Sequence, residues 1–433
     1  MLRTQSFGRS SASVLKRTFI GALALLLAVD SFGLRSLGVR EAQACPFCGA
    51  PQSTLSEDIK SNDVALICKL VNRPPKQEAD APPEASQCTF EVVQVIKGAD
   101  VMAKQADPKR FKILYYGEQP LETKFLAFGL NPMALEWGTP TLVSDRGIQY
   151  LMTLPTLPNE GAKRLDFFQD YFEDQDSLLA ADAYDEFAKS PYSDLKALKP
   201  DMQHDRLLAW IQDKNVTTTR RRLYLCMLSV CGTEKDLPLI ETLINNEERW
   251  IRQSLDALIG SYLAIKGADG LPLVENLFLK NQKAEYTDAY ATIMALRFMG
   301  QESTVISRER LTQSMRYLLD NPKLADLIVP DLARWQDWSA MDKLVQLFIN
   351  ADAETAWVRL PVVNYLRACP LPEAKARLAE LTKIDPEVVK RAMTYYPSPG
   401  AAASDIGTPK ETPAAAAPTA PVPPSNPPGT TGS

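Results

Sequence analysis

One histidine, His204, stands in a chain of 433 residues. That scarcity excludes more chemistry than any residue present suggests. Histidine-based zinc sites, two-histidine iron sites and Ser-His-Asp triads all need imidazoles. Each is out of reach unless His204 alone serves. His204 lies in Asp201-Met-Gln-His-Asp-Arg206, where a helix is expected to start, and reads as an exposed polar residue of a first turn. Long apolar runs are also scarce. Phe19 to Val29 spans only 11 residues, against about 20 for a helix that crosses a bilayer. No stretch of the mature chain is long and apolar enough to do so. Positive charge is thin too: the formal net charge is −5, although residues 1–44 hold six Lys/Arg against two acids. The remainder is therefore more acidic than the whole. Nucleic-acid binding depends on clustered cations that neutralise phosphates, so that class of partner is excluded.

What is present begins with an export signal over residues 1–44. Arg3, Arg9, Lys16 and Arg17 precede the apolar run, and Ala42-Gln43-Ala44 forms a small-x-small cleavage site. This places the protein in a periplasm or cell envelope, or outside the cell. Cys45 follows Ala44 directly, but Ala42 stands where a lipoprotein signal carries Leu, which argues against lipidation. Cys45, Cys48, Cys68 and Cys88 make an even set in an exported segment, so two disulfides are expected, with three connectivities open. Cys226, Cys231 and Cys369 fall in helical sequence and read as buried thiols.

Residues 45–155 read as a β-domain. Val64–Val71, Cys88–Ile96, Phe111–Tyr116 and Lys124–Gly129 are short and rich in β-branched and aromatic residues, and Leu142–Leu154 is taken as a further strand. Arg73–Pro83 reads as a mobile insert. Ser61-Asn-Asp-Val-Ala-Leu-Ile-Cys68 and Thr89-Phe-Glu-Val-Val-Gln-Val-Ile-Lys-Gly98, after cysteines close to the cleavage site, resemble the netrin/TIMP-type module. That resemblance implies a small OB-like barrel stapled by disulfides. It also implies an inhibitor role, in which a freed N-terminal Cys45 chelates the metal of a metalloprotease. Cys45-Pro46-Phe47-Cys48 resembles the glutaredoxin-type Cys-Pro-aromatic-Cys site of thiol-disulfide oxidoreductases. That chemistry needs a strand before the motif and a helix N-terminus at it. Here the motif opens the mature chain, so a structural bridge is the preferred reading.

Residues 156–200 form an acidic helical connector, with helices expected at Glu160–Glu173 and Ser177–Lys189. Eight carboxylates and no Lys or Arg lie between Asp166 and Glu186. The Asp-x-Asp-x-Asp-Gly loop of calcium sites is missing, so a solvated acidic face is expected.

From residue 201 to 396 the pattern is helix pairs. Leu237-Pro-Leu-Ile-Glu-Thr-Leu243 returns 34 residues later as Leu271-Pro-Leu-Val-Glu-Asn-Leu277. About six pairs follow this spacing, the second members being Thr219–Cys231, Trp250–Ile265, Tyr286–Met299, Leu324–Trp335, Trp357–Ala368 and Pro386–Tyr395. The segment resembles HEAT/armadillo-type repeats, which implies an α-solenoid whose units bury apolar faces only by stacking. Leu239, Leu243, Leu273 and Leu277 are expected on that buried face. Arg220-Arg221-Arg222 is the candidate contact for an acidic partner, weighed against a plain solvated face. Residues 397–433, rich in Ala, Pro, Ser and Thr, read as a disordered tail. The expected architecture is thus α+β and multidomain: a small OB-like β-barrel, an α-solenoid and a tail. As a whole the chain resembles exported repeat proteins of bacteria. No catalytic residue, metal site or cofactor is indicated. The expected role is a non-enzymatic scaffold or protein-binding module, with the inhibitor and oxidoreductase readings as alternatives.

Overall fold

The computed structural model describes residues 45–49, 51–74 and 87–395. The segments expected to be an export signal and a C-terminal tail, and most of the expected insert, lie outside the described residues. Residues 45–384 belong to one compact unit, and Asp385 opens a second.

The chain is mostly helical behind a small antiparallel sheet. Helix α1 (Leu55–Ser61) comes first. Thr54 accepts from the Glu57 amide, and the Glu57 carboxylate reaches back to the Thr54 amide, a reciprocal cap. The sheet follows as β1 (Val64–Asn72), β2 (Gln87–Lys97), β3 (Arg110–Leu114), β4 (Lys124–Leu130), β5 (Glu136–Trp137) and β6 (Thr141–Leu142), with the short helix α2 (Ala99–Met102) between β2 and β3. The strand order is β3-β2-β1-β4-β5, with β6 also on β4, and every pairing is antiparallel.

Alternation along β1 and β4 sends Val64, Leu66, Cys68, Leu70, Phe125 and Ala127 into one core with Phe90 and Ile113. Ala65, Ile67 and Leu126, on the opposite face, are equally buried, so the centre of the sheet is covered on both sides. Three register shifts between β1 and β2 curl the sheet. Its two edges then meet: Phe111 on β3 stacks on Trp137 of β5, centroids 4.0 Å apart. The result is a nearly closed barrel. Gly98, at φ +83°, turns the chain out of β2; a Cβ there would lie 2.3 Å from the Asp63 carbonyl oxygen.

Leu142–Leu154 departs from expectation. Only Thr141–Leu142 is strand, and Asp145–Thr153 is helix α3, capped by Ser144. Then come α4 (Ala162–Gln169), α5 (Ser177–Lys189), α6 (Tyr192–Ala197), α7 (His204–Gln212), α8 (Thr218–Cys231), α9 (Leu237–Ile244), α10 (Arg249–Arg252) and α11 (Leu255–Lys266). Helix α12 (Leu271–Val274) runs into a π-turn over Glu275–Leu279. The series ends with α13 (Tyr286–Glu302), α14 (Arg308–Arg316), α15 (Val329–Arg334), α16 (Met341–Asn350), α17 (Arg359–Ala368) and α18 (Pro372–Ile384). In the second unit, Asp385 caps α19 (Pro386–Tyr395) by accepting from the Val388 amide at 3.1 Å.

Helix α8 packs on α11, α11 on α13, and α15 on α17. The register of the 34-residue repeat is visible in burial. Leu237, Ile240 and Ile244 are buried in α9, as are Leu271, Val274 and Phe278 in the second copy. The buried face is therefore not the one expected. Leu239, Leu273 and Leu277 are half-buried, and of the four leucines only Leu243 is buried. The apolar residues offered two stripes at helical spacing, and the structure uses the one beginning at Leu237 and Leu271.

Candidate functional site

Of the residues singled out by sequence, Cys45 and Cys48 lie on the seam where the chain's N-terminal segment meets the helices, while Cys68 and Cys88 lie inside the sheet and Arg220, Arg221, Arg222 and His204 among the helices. Cys45 and Cys48 are joined by a disulfide, and the Cys48 amide closes a turn on the Cys45 carbonyl at 3.1 Å. The turn presents Phe47 to the helical layer. Its ring meets Phe298 of α13 at 4.9 Å, and Phe298 meets Tyr192 of α6 at 5.7 Å. Gly260 of α11 makes room, since a Cβ there would sit 3.0 Å from the tip of the Phe47 ring. The Cys-Pro-Phe-Cys loop is thus a wedge seated between α11 and α13. Cys45 is fully buried. Both the inhibitor and the oxidoreductase readings ask for an accessible sulfur at this position, and the bridged, buried Cys45 does not offer one.

The second expected bridge is not formed: Cys68 and Cys88 are free thiols. Cys68 faces Val92 across the β1/β2 ladder, which places Cys88 four residues away along β2. At about 3.4 Å per residue that is roughly 14 Å, whereas a disulfide requires Cα atoms within about 7 Å. Burial pushes the Cys68 thiol up to about 12 and Cys231 to about 11, and it raises Cys88 and Cys226 as well. Such thiols are poor nucleophiles. Alkylation of the unfolded, unreduced protein is therefore expected to label five of the seven cysteines, with Cys45 and Cys48 labelled only after reduction. Peptide mapping checks this, and a Cys68–Cys88 peptide would overturn it.

Beside the wedge, the acidic run of α5 does structural work. Asp182, Asp185 and Glu186 share one face because three and four residues make one helical turn. That face is not solvated as expected: all three are buried. Asp182 accepts the Leu55 amide at 2.6 Å and the Tyr150 hydroxyl at 2.5 Å, and Asp185 accepts the Gln52 amide at 3.1 Å. The carboxylates of α5 thereby satisfy amides at and before the start of α1, where helices carry orphan donors and positive potential. Glu186 pairs with Arg164 at 2.6 Å. Burial pushes the Asp182 carboxyl up to about 7, against the opposing hydrogen bonds from Tyr150 and Leu55. The rest of the run is also engaged, with Glu173 on Arg220 and Tyr224, Asp174 on Arg146, and Asp176 on Ser144.

An open cleft of about 450 Å³ lies along this seam, lined by α1, the segment after α3, and the junction of α5 and α6. Most of the charged groups in its walls are engaged within the fold: Arg164 with Glu186, Lys189 with Glu57, and Asp194 with the Gly161 amide at 2.8 Å.

The arginine triad is spent within the fold. Arg220 pairs with Glu173 at 3.1 Å and Arg222 with Asp256 at 3.0 Å. Arg221 is buried over the Trp250 ring and donates to the carbonyls of Asp213, Val216 and Trp250. Neither a free acidic-partner contact nor a plain solvated face describes these residues. His204, the first residue of α7, is half-buried, with Nε2 3.0 Å from Asp236 Oδ2 and Nδ1 3.2 Å from Asp205 Oδ1. Burial alone would lower its pKa, but the two carboxylates raise it on balance.

Sequence reasoning missed α1 and its anchoring, although Thr54-Leu-Ser-Glu57 carries the Thr-x-x-Glu capping signature. Among the described residues, no group of His, Cys, Asp or Glu is placed to hold a metal ion, and no helix is long and apolar enough to cross a membrane. No protein-family model matches the chain, and no curated protein aligns with it significantly.

Proposed function

We propose that the protein is an exported scaffold whose helix pairs stack as a HEAT/armadillo-like solenoid and present one face to a protein partner. In this reading the OB-like β-module caps the N-terminal end of the stack. One observation carries it: ion pairs join helices of successive pairs at the repeat spacing. Arg222 meets Asp256 at 3.0 Å, Arg252 meets Asp288 at 3.5 Å, Arg297 meets Asp331 at 2.7 Å, and Asp342 meets Arg377 at 3.0 Å. The partners lie 34 to 36 positions apart. A contact that recurs once per unit is what a one-dimensional stack produces, and such stacks carry extended binding faces.

Aromatic residues left on that row support partner binding. Tyr286 and Tyr290, one turn apart on α13, are parallel to within 8° with centroids 6.2 Å apart, and both are exposed. Trp357, exposed just before α17, lies close to Asp326, whose charge also acts on Tyr286. Exposed Tyr and Trp in one strip are favoured anchors of interfaces. The test is the triple variant Tyr286→Ala, Tyr290→Ala, Trp357→Ala. Helicity and melting are expected to stay at wild-type values, while the protein crosslinked to the wild-type chain in an envelope fraction is lost at least tenfold. Equal crosslinking by the variant, or none by the wild type, removes the reading. Intact mass of the exported chain checks cleavage after Ala44.

A further inference from the structure

A second cavity, of about 600 Å³, opens where α8, α11 and α13 all end. Ser229, Gly232 and Ile265 line it from the first two helices, and Glu302 is the last residue of α13. The C-terminal end of a helix carries negative potential and unsatisfied carbonyls. A carboxylate as the last helical residue is disfavoured there, and the neighbouring ends of α8 and α11 add to the effect. Glu302 is nonetheless half-buried, and among the described residues it has no hydrogen-bond or ion-pair partner.

The opposite wall is cationic. Lys196 of α6 and Lys199 just beyond it line the same cavity, and neither forms an ion pair among the described residues. The Lys196 ammonium rests over the Tyr192 ring at 5.0 Å and acts on Glu302 only through longer-range attraction. Between these groups the accessible lining is aliphatic, from Val230, Ala264, Ile265 and Val305, set over the buried edge-to-face pair of Tyr192 and Phe298. A site of a few hundred cubic ångströms with an apolar lining and a few convergent polar groups has the character of a small-molecule pocket.

We propose that this cavity binds a zwitterionic amino acid or dipeptide. Its ammonium group sits against Glu302 and the three helix ends, its carboxylate faces Lys196 and Lys199, and an apolar side chain covers the aliphatic lining of Val230, Ala264, Ile265 and Val305. Among the described residues the lining leaves charges of both signs unpaired, Lys196 and Lys199 against Glu302 and the exposed Glu234, and so selects a ligand that carries both, while its apolar residues select against a polar side chain. The site is distinct from the aromatic strip on α13 and needs no protein partner.

Isothermal titration of the full exported chain with the dipeptide Leu-Leu tests this. Saturable binding with a Kd below about 1 mM is expected. N-acetyl-Leu-Leu, which lacks the ammonium, should bind at least about tenfold more weakly, because Glu302 then stays unpaired. Glu302→Gln keeps the side-chain shape and should lose the same factor for Leu-Leu, with unchanged melting as the control. The C-terminal amide of Leu-Leu should weaken as well, and Lys196→Met combined with Lys199→Met should remove the distinction between acid and amide. No saturable binding of Leu-Leu, or equal affinity for its acetylated form, overturns the proposal. So does a Glu302→Gln protein that binds Leu-Leu like the wild type.

Discussion

Val274→Asp is expected to unfold the helical part of the chain, while Leu273→Asp, one position earlier, is expected to leave it standing. Val274 is completely buried and repeats the place of Ile240 in the preceding unit. A carboxylate there has no cation to meet and no water to keep. Its burial costs at least about 4 kcal/mol, whether the group remains charged or is forced to take up a proton. Total stabilities of domains are only about 5–15 kcal/mol, so little would remain. Leu273 is half-exposed, and its carboxylate variant can turn toward solvent at a cost of about 1 kcal/mol. Thermal melting followed by far-UV circular dichroism separates the two. Similar melting temperatures for both variants would mean that the helix rotates relative to its neighbours and that the Leu271, Val274, Phe278 stripe is not the packed one.

The second large effect is a dependence on pH. In the unfolded chain Asp182 ionises near 3.9; folded, burial holds it up to about 7. Below about pH 4 both states carry the proton, and the fold has the full benefit of the neutral carboxyl. As pH rises from 4 to 7 the unfolded chain releases its proton and the folded one does not, so stability falls. The loss is complete above pH 7 and amounts to about 4 kcal/mol at most. Asp182→Asn removes the titration while keeping an oxygen for the Leu55 amide and a polar group for Tyr150. Urea unfolding at pH 5 and pH 8 should show the variant gaining on the wild type by about 2–3 kcal/mol between the two. Identical pH profiles would show that Asp182 is charged in the fold. Asp185, also raised by burial, contributes in the same direction in both proteins and cancels from the comparison.

Local patterns in the sequence were read well where a segment's own residues settle its state. Val64–Val71 lies within β1, Lys124–Gly129 lies within β4, and Ser177–Lys189 coincides with α5. The β-branched runs and the helical spacing of Leu179, Tyr184 and Phe187 leave no competing state. Reading failed where a distant element decides. Leu324–Trp335 looks like one helix, yet only Val329–Arg334 is α-helical, preceded by a 3-10 turn over Ala325–Leu327. Leu142–Leu154 alternates enough to pass for strand, but Ser144 is a helix cap and Tyr150 is claimed by Asp182.

The acidic run illustrates the limit most clearly. Between Asp166 and Glu186 its eight carboxylates have no Lys or Arg among them, and so they read as solvated. Most of their partners come from residues 52, 55, 144, 146, 150, 164, 203, 206, 220 and 224, which only the fold brings close. The same holds for Arg221, whose three carbonyl acceptors no spacing rule reveals. Cysteine counting correctly signalled a bridge in the N-terminal set but could not see that Cys68 and Cys88 belong to the interior of the sheet.

The seating of Phe47 also fixes an order of events in folding. Its partner Phe298 is about 250 positions further along the chain, and Gly260 more than 200. The sheet can form from pairings between near neighbours, but the wedge has no slot until α11 and α13 lie side by side. Contacts of such long range are made late, because the entropy of closing the intervening loop must be met first. A chain that emerges from its N-terminus therefore carries its first residues undocked until the middle of the helical series has arrived. The Cys45–Cys48 turn keeps Phe47 presented through that interval. Its contribution is then to the rate at which the last contact closes, and loss of the bridge should slow the final folding phase more than it lowers the melting temperature.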